Sequence, residues 1–312
     1  RRHTRSPLGS RGLGDVYKRQ GLDDQEGAYV PDSLPPVVDA HVHVFPDLLF
    51  DAVWGWFDQF GWPIRYRLHT ERLVAFLLQH GIDHIVALQY AHKPGIAADL
   101  NRYMVDLVRK TKAVTGLATV FPGESSARRL LETAFNEGLK GVKLHSHVQC
   151  FEMDSPGMHA IYACCSDNGR PLLIHAGREP KSPAYPCDPY KICHWTHVER
   201  VLRQYPDLKL VVPHLGADEF EAYQRLLDRF DHLWLDTTMV LADYLPIANP
   251  PDISRMRLDR LVFGTDFPNI PYAWDRELRR LATLKLDEKS LRQVLSENAA
   301  ALYQIDLDET IP

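Results

Sequence analysis

Eight short apolar segments, separated by stretches with helical periodicity, constrain the fold of this chain more than any other feature. The segments are residues 37–45, 85–90, 115–121, 141–147, 171–175, 208–214, 233–238 and 260–264. Their nearly continuous runs of Val, Leu and Ile are typical of parallel strands that are buried on both faces. Because helices alternate with these strands over 312 residues, the pattern favours an α/β fold, a single-domain (β/α)₈ TIM barrel, over an open doubly wound sheet.

The barrel is predicted to span residues 37–312, after an irregular lead-in at residues 21–36 that three prolines interrupt. Residues 1–20 carry six Lys or Arg and one acid, without an apolar stretch or a periodic pattern. They therefore do not form a signal peptide. Because residues 12–20 resemble the translated adaptor sequence found at the ends of some assembled metagenomic reads, we predict that residues 1–20 are a non-native leader.

Charge and cysteine content limit the partners and the compartment of the protein. The formal net charge is −5, and the chain beyond the basic residues 1–20 is more acidic still. An acidic body argues against nucleic acid and anionic membranes as partners and leaves a small-molecule substrate, with a homo-oligomer left open. Five cysteines without a C-x-x-C pair are typical of a reducing compartment, so we predict a cytoplasmic protein.

Residues that can bind a metal ion lie at the ends of five of the predicted strands. His41 and His43 share one face of the first strand, where alternate side chains are ~6.5 Å apart along the backbone. The later strands end in His145, His175, His214 and Asp266. In a (β/α)₈ barrel the C-terminal ends of all strands meet at one face, where active sites lie. We therefore expect one site that gathers these side chains.

Five motifs carry a resemblance to a known family over about residues 37–305. They are D-A-H-V-H at 39–43, I-H-A-G at 174–177, P-H-L-G at 213–216, F-G-T-D-F-P at 263–268 and E-N-A-A-A-L-Y at 297–303. In order and strand placement they resemble the metal-dependent amidohydrolase superfamily. Within it they resemble the amidohydrolase-related branch, which includes aminocarboxymuconate-semialdehyde decarboxylase-like enzymes.

The resemblance implies a metal site and two catalytic residues. The implied ligands are His41, His43, His175 and Asp266, and His214 lies beside the metal-activated water. Imidazole and carboxylate ligands suit a divalent transition metal better than Mg²⁺ or Ca²⁺, and we predict one ion, Zn²⁺. Asp266 is expected to take a proton from the water and return it to the leaving group, while His214 polarises the carbonyl or orients the water. A helix cap at Asp266 and a packing role for His214 are the alternatives.

Three further residues are candidates for substrate binding. Lys143 is near the place where two-metal members of the superfamily carry a bridging carboxylated lysine. His145 shares its face and is nearer the strand end, which favours a single metal with Lys143 or His145 facing the substrate over a bridged pair. Arg178, three residues after His175, is predicted to pair with a substrate carboxylate, with a solvated loop charge as the alternative.

The connection at residues 46–69 holds three tryptophans between prolines and glycines. Loops this long in compact domains are usually functional or disordered, and the aromatic content argues against disorder. We interpret it as a lid loop over the site, with packing against the barrel wall as the alternative.

These features predict a metal-dependent hydrolase that acts on a small carboxylate-bearing or cyclic amide or ester substrate through a metal-activated water. The first alternative is a non-oxidative metal-dependent decarboxylase that uses the same site. The second is a barrel that binds ligands without catalysis. The sequence does not separate hydrolysis from decarboxylation, since both need the same ligands.

We predict that residues 1–20 are dispensable, because they offer no apolar face to bury. A chain that begins at Gly21 should keep the thermal midpoint and activity of the full chain. A large loss of either on truncation would show that these residues are structural.

Overall fold

The computed structural model describes residues 21–178, 182–245, 247 and 249–307. The predicted leader, residues 1–20, lies outside this part of the chain. Residues 21–36 contain helical residues only at 21–22 and otherwise form turns and bends. None of the helices in the described ranges is both long enough and apolar enough to cross a bilayer.

Eight parallel strands run through the described part of the chain, and each overlaps one of the predicted segments. They are β1 Val38–His43, β2 His84–Leu88, β3 Val114–Gly116, β4 Val142–His145, β5 Leu172–His175, β6 Leu210–Val212, β7 Leu233–Asp236 and β8 Leu261–Val262. Every pair of neighbours within the two sheets, β1 to β3 and β4 to β8, is parallel.

Helices separate most of these strands. The α-helices of the described residues are α1 Asp47–Phe60, α2 Thr70–Gln79, α3 Ala97–Lys110, α4 Ala127–Asn136, α5 Ser146–Gln149, α6 Pro156–Asp167, α7 Pro189–Ile192, α8 Trp195–Gln204, α9 Phe220–Arg229, α10 Arg276–Thr283, α11 Glu288–Arg292 and α12 Asn298–Tyr303. A π-helical turn, Gln293–Glu297, joins the last two. Between β7 and β8 the described residues form two 3₁₀ turns, Ile253–Arg255 and Leu258–Arg260, in place of an α-helix.

Backbone hydrogen bonds join the two sheets at both of their edges. Between β3 and β4, the Ala118 N–H donates to the Gly141 carbonyl and the Lys143 N–H donates to Ala118, both at 2.8 Å. Between β8 and β1, the Ala40 N–H donates to Phe263 at 2.9 Å and the His43 N–H donates to Phe267 at 2.8 Å. These bonds close the ring, and the predicted (β/α)₈ barrel is confirmed.

A buried apolar cluster fills the barrel. Its members come from strands on opposite sides of the ring and from α12, and they are Val38, Ala40, Val86, Leu88, Leu117, Leu173, Val211, Val262, Ala299, Leu302 and Tyr303. Because residues on opposite walls belong to one cluster, it occupies the interior. Neighbouring strand residues such as Ile85 and Val212 belong to the larger cluster that packs the strands against the helices.

The aromatic segment after β1 is a helix where the sequence predicts a lid loop. Helix α1 buries Phe50 and Trp54, whose rings stack 5.1 Å apart. Aromatic residues and the central Gly55 have weak helix propensity, so burial of one helical face decides the conformation. Trp56 on the same helix reaches Tyr185, with ring centroids 5.5 Å apart.

Asp39 ties the start of the metal-capable strand to the end of β8. Its fully buried carboxylate accepts hydrogen bonds from the Thr265 N–H at 3.1 Å, the Thr265 hydroxyl at 2.5 Å and the His41 N–H at 3.2 Å. Burial raises the pKa of Asp39 to about 7, against the lowering effect of these hydrogen bonds. The pairing of β1 with β2 also shifts between Asp39 and Val42, an irregularity of the kind that re-aims side chains beside active sites.

We predict that Asp39→Ala lowers the free energy of unfolding by about 3 kcal/mol, because buried donors of Thr265 and His41 lose their acceptor. Chemical denaturation measures the loss. Asp39→Asn is the matched control, since one amide oxygen still accepts from the backbone, and its loss should be smaller. Equal stability of Asp39→Ala and the parent chain would contradict this account.

Candidate metal centre

Three predicted ligands meet at the C-terminal face of the barrel. His41, His43 and Asp266 each offer a donor atom, and these atoms lie within 4.8 Å of one another, the one such group found among the described residues. Asp266 Oδ1 is 2.9 Å from His43 Nε2 and 3.4 Å from His41 Nε2. All three residues are buried, with relative exposures of 0% for His41, 4% for His43 and 8% for Asp266.

The backbone of Asp266 is held in an unusual conformation. Its φ is +67°, in the left-handed region that non-glycine residues rarely adopt. The Asp266 N–H donates to the His41 carbonyl at 2.9 Å, so the same contact that joins β8 to β1 fixes this conformation. Strain of this kind concentrates at functional sites, where surrounding structure maintains it.

Asp236, the last residue of β7, orients the His41 ring through a contact with its Nδ1 atom. The Asp236 carboxylate lies 2.7 Å from His41 Nδ1, and both side chains are fully buried. It also accepts from the backbone N–H of His214 at 2.9 Å and of Thr238 at 3.2 Å. Because Nδ1–H donates to the carboxylate, the lone pair of His41 is on Nε2, toward Asp266.

The protonation states suit metal binding. Burial, with the nearby Lys143 ammonium second, lowers the pKa of His41 well below its usual value. Burial also lowers the pKa of His43. For Asp266 burial raises the pKa, but the hydrogen bond with His43 outweighs it, and the pKa is held at about 2. Two neutral imidazoles and one carboxylate are the forms that ligate a divalent transition ion, so the donor set fits such a metal.

His214 stands beside this group with one ring nitrogen fixed. Its Nδ1 lies 3.0 Å from the Thr238 carbonyl, and its Nε2 is buried without a hydrogen-bond partner among the described residues. The ring centroid is 5.9 Å from that of His41 and 4.6 Å from that of His175. His214 also has a left-handed φ of +55°. The role of His214 beside the metal-activated water stays a prediction.

His175 and His145 stack on each other, with ring centroids 4.2 Å apart. His175 is not a member of the group formed by His41, His43 and Asp266, and its place as a fourth ligand stays a prediction. The Tyr90 ring lies between the two parts of the site, 5.8 Å from His43 and 5.0 Å from His145.

The Lys143 side chain reaches the metal-capable group, whereas Arg178 is engaged elsewhere. Lys143 is fully buried, and its Nζ is 3.4 Å from His41 Nε2. The Arg178 guanidinium lies 3.1 Å from the Glu219 carboxylate and over the Tyr190 ring. Substrate contact by either residue stays a prediction, and the pairing with Glu219 offers a structural role for Arg178.

The sequence analysis missed Asp236 and did not assign a role to His147. Asp236 lies two residues before the end of the seventh predicted strand, so its position near a strand end was a signal that could have found it. His147 lies on α5, where strand β4 was expected to continue, and its ring is 5.0 Å from that of His175.

We predict that Asp236→Asn weakens divalent-metal affinity by about 10- to 100-fold, because a neutral amide supports the His41 tautomer poorly. Metal titration of the chelator-treated protein measures this. Glu277→Gln is the matched control, since Glu277 is an equally buried carboxylate that accepts from the Met239 and Leu241 N–H groups. Equal losses of affinity in the two variants would rule out a specific role for Asp236.

Comparison with solved structures shows the same fold in several enzymes. A 5-carboxyvanillate decarboxylase from Novosphingobium aromaticivorans DSM 12444, complexed with manganese and 4-hydroxy-3-methoxy-5-nitrobenzoic acid, is 18% identical with a TM-score of 0.66, over 91% of this chain and 99% of that chain. A 2,6-dihydroxybenzoate decarboxylase from Rhizobium is 16% identical with a TM-score of 0.64, over 88% and 100%. An uncharacterised TIM-barrel protein from Bordetella bronchiseptica is 20% identical with a TM-score of 0.62, over 86% and 98%.

A search of curated proteins gave no significant match to this chain. The model of one protein family, described as amidohydrolase, matches residues 38–305, which include all eight strands and the three grouped ligands. The family resemblance drawn from the five motifs is therefore confirmed. The chain belongs to the amidohydrolase family and is a metal-dependent enzyme with a divalent-metal site.

Proposed function

We propose that this protein is a non-oxidative decarboxylase of a small aromatic carboxylic acid. The observation that carries the proposal is the fully buried Lys143, whose Nζ lies 3.4 Å from His41 Nε2. At this depth Lys143 offers a nitrogen donor in a low-dielectric site, where a polar contact with an anionic substrate group is strong. A carboxylate beside the metal group suits this environment.

The rings around the site support an aromatic substrate. Tyr90 contacts both His43 and His145, and the stacked His145 and His175 rings have an interplanar angle of 13°. Flat side chains of this kind favour a flat ligand through stacking and edge contacts. The solved decarboxylases described above act on hydroxylated benzoic acids, as their names state, and this fold-level analogy favours the same reaction class.

The reaction breaks the bond between the ring carbon and the carboxylate and forms a C–H bond in its place. When bound, a divalent metal would supply an electrophile that binds the carboxylate or a neighbouring hydroxyl oxygen of the substrate. Asp266, as a carboxylate, takes a proton from a substrate hydroxyl and returns it to the ring carbon as CO₂ leaves. His214 Nε2 is a second position at which that proton can be held, because Thr238 fixes its other ring nitrogen.

Hydrolysis, the first function predicted from the sequence, needs the same metal group, so one assay must separate the two reactions. The metal-loaded enzyme is incubated with hydroxylated benzoic acids and, separately, with lactones, esters and amides. Released CO₂ and released acid are both measured. We expect CO₂ from a hydroxybenzoate and none after chelation. Acid release from an ester, lactone or amide without CO₂ from any aromatic acid would overturn the proposal in favour of hydrolysis.

We predict one divalent metal ion per chain, with Zn²⁺ the ion predicted from the ligand types. Elemental analysis of protein purified without chelator gives both identity and stoichiometry. Manganese, which one of the related structures holds, would correct the identity while keeping the site. Two equivalents of metal, or density for a carboxylated Lys143, would overturn the assignment of a single ion.

We predict that Asp266→Asn and His214→Asn have different effects, because Asp266 is both a metal ligand and a proton carrier, whereas His214 is not a ligand. Asp266→Asn should lower kcat by at least about 10²- to 10⁴-fold, because the amide cannot accept the proton, and should also weaken metal binding. His214→Asn should lower kcat while the metal is retained. Metal content and kcat are measured for both.

The control for these two variants is His84→Gln, because His84 is buried on β2 and contacts Thr115 instead of the site. Metal content and kcat should both be close to those of the parent. If His214→Asn loses metal as readily as His41→Asn, His214 is a ligand. If Asp266→Asn keeps near-normal turnover, the proton-transfer role is wrong.

A further inference from the structure

Two thiols from different loops share one hydrogen-bond acceptor beside the metal centre. Cys150 Sγ lies 3.2 Å from the His147 carbonyl oxygen, and Cys187 Sγ lies 3.4 Å from the same atom. The distance between the two sulfur atoms is therefore no greater than the sum of these two distances. The shared acceptor keeps both thiols side by side, and the Cys150 thiol is one of the neighbours that raise the pKa of Cys187.

The two thiols differ in how readily an oxidant reaches them. Cys150 is exposed and Cys187 is half-buried, whereas Cys164, Cys165 and Cys193 are buried. Burial, followed by the neighbouring thiols, raises the pKa of Cys187, so Cys187 does not compete with Cys150 for the oxidant. Since oxidation begins at an accessible thiol, Cys150 is the first target and Cys187 is the partner that resolves it.

We propose that Cys150 and Cys187 form a redox-modification site whose reactant is a small hydroperoxide. Cys150 sulfur attacks the peroxide, the O–O bond breaks, and Cys150 becomes a sulfenic acid as water or an alcohol leaves. The Cys187 thiol then displaces the hydroxyl of the sulfenic acid, which forms the disulfide and releases one water. Two thiols are oxidised and one peroxide is reduced, so the step needs no other reactant.

The bond joins two segments that approach the metal centre. Cys150 directly follows Gln149, whose side chain accepts from the His145 N–H at 2.8 Å. Cys187 follows Tyr185, whose ring centroid is 5.5 Å from those of His147 and of Trp56 on α1. A disulfide therefore ties the connection after β5 to the turn after β4, next to the contact between Tyr185 and α1.

This tether has a consequence for access to the site. The grouped donors are almost fully buried, and Tyr185, two residues before Cys187, contacts His147 and Trp56. Because the disulfide fixes Cys187 to Cys150 next to these contacts, the oxidised enzyme should have a lower kcat/KM that dithiothreitol restores. It should also unfold at a higher temperature, because the cross-link restricts the unfolded chain.

The test treats the folded, metal-loaded full chain with hydrogen peroxide, alkylates the remaining thiols and maps the peptides. We expect a Cys150–Cys187 linked peptide that dithiothreitol removes. Cys187→Ser should instead accumulate a sulfenic acid at Cys150 that dimedone traps. Cys193→Ser is the matched control, since Cys193 is a buried thiol of the same region that contacts Ser146, and it should still form the linked peptide.

Two results would overturn the inference. One is absence of the linked peptide while the protein remains folded, and the other is a disulfide that uses Cys193 in place of Cys187. The inference would also be contradicted if peroxide raised the thermal midpoint of the Cys150→Ser variant as much as that of the parent chain. Peptide mapping and the midpoint need no substrate, so they decide the matter even if the protein is not a decarboxylase.

Discussion

The contact between His41 and Asp236 is the interaction on which the metal centre depends. A carboxylate and an imidazole that are both fully buried lie 2.7 Å apart, in an interior where a hydrogen bond to a charged group is strong and a missing partner is costly. This bond fixes which nitrogen of His41 faces Asp266. The same carboxylate holds the backbone of His214, so one residue of β7 positions both a predicted ligand and a predicted proton carrier.

A layer of buried carboxylates lies behind the imidazoles. Asp39, Asp236 and Glu277 all accept hydrogen bonds from backbone N–H groups. Asp39 ties β1 to the end of β8, Asp236 ties β7 to β1 and to the residue His214 after β6, and Glu277 ties α10 to the connection after β7. In front of them, the histidines and Lys143 supply nitrogen atoms that face the site. Because the supporting carboxylates are already engaged, Asp266 remains the carboxylate that joins the described metal group.

The fold alone does not decide the chemistry of such a barrel, since one architecture hosts many reactions. What distinguishes this chain lies in the segments around the mouth. Helix α1 brings Trp56 to Tyr185, and Glu219 engages Arg178. The thiol pair Cys150 and Cys187 lies in the same region, since Cys187 is two residues after Tyr185.

The sequence by itself determined the eight strands, the barrel and the meeting of His41, His43 and Asp266, because a closed parallel ring sends every strand end to one face. Only the tertiary structure decided that Asp236, 195 residues away in the chain, orients His41, and that Glu219 engages Arg178. It also decided that α1 is a helix, through burial of Phe50 and Trp54. Such partners depend on strand register and packing across the ring, which local periodicity does not encode.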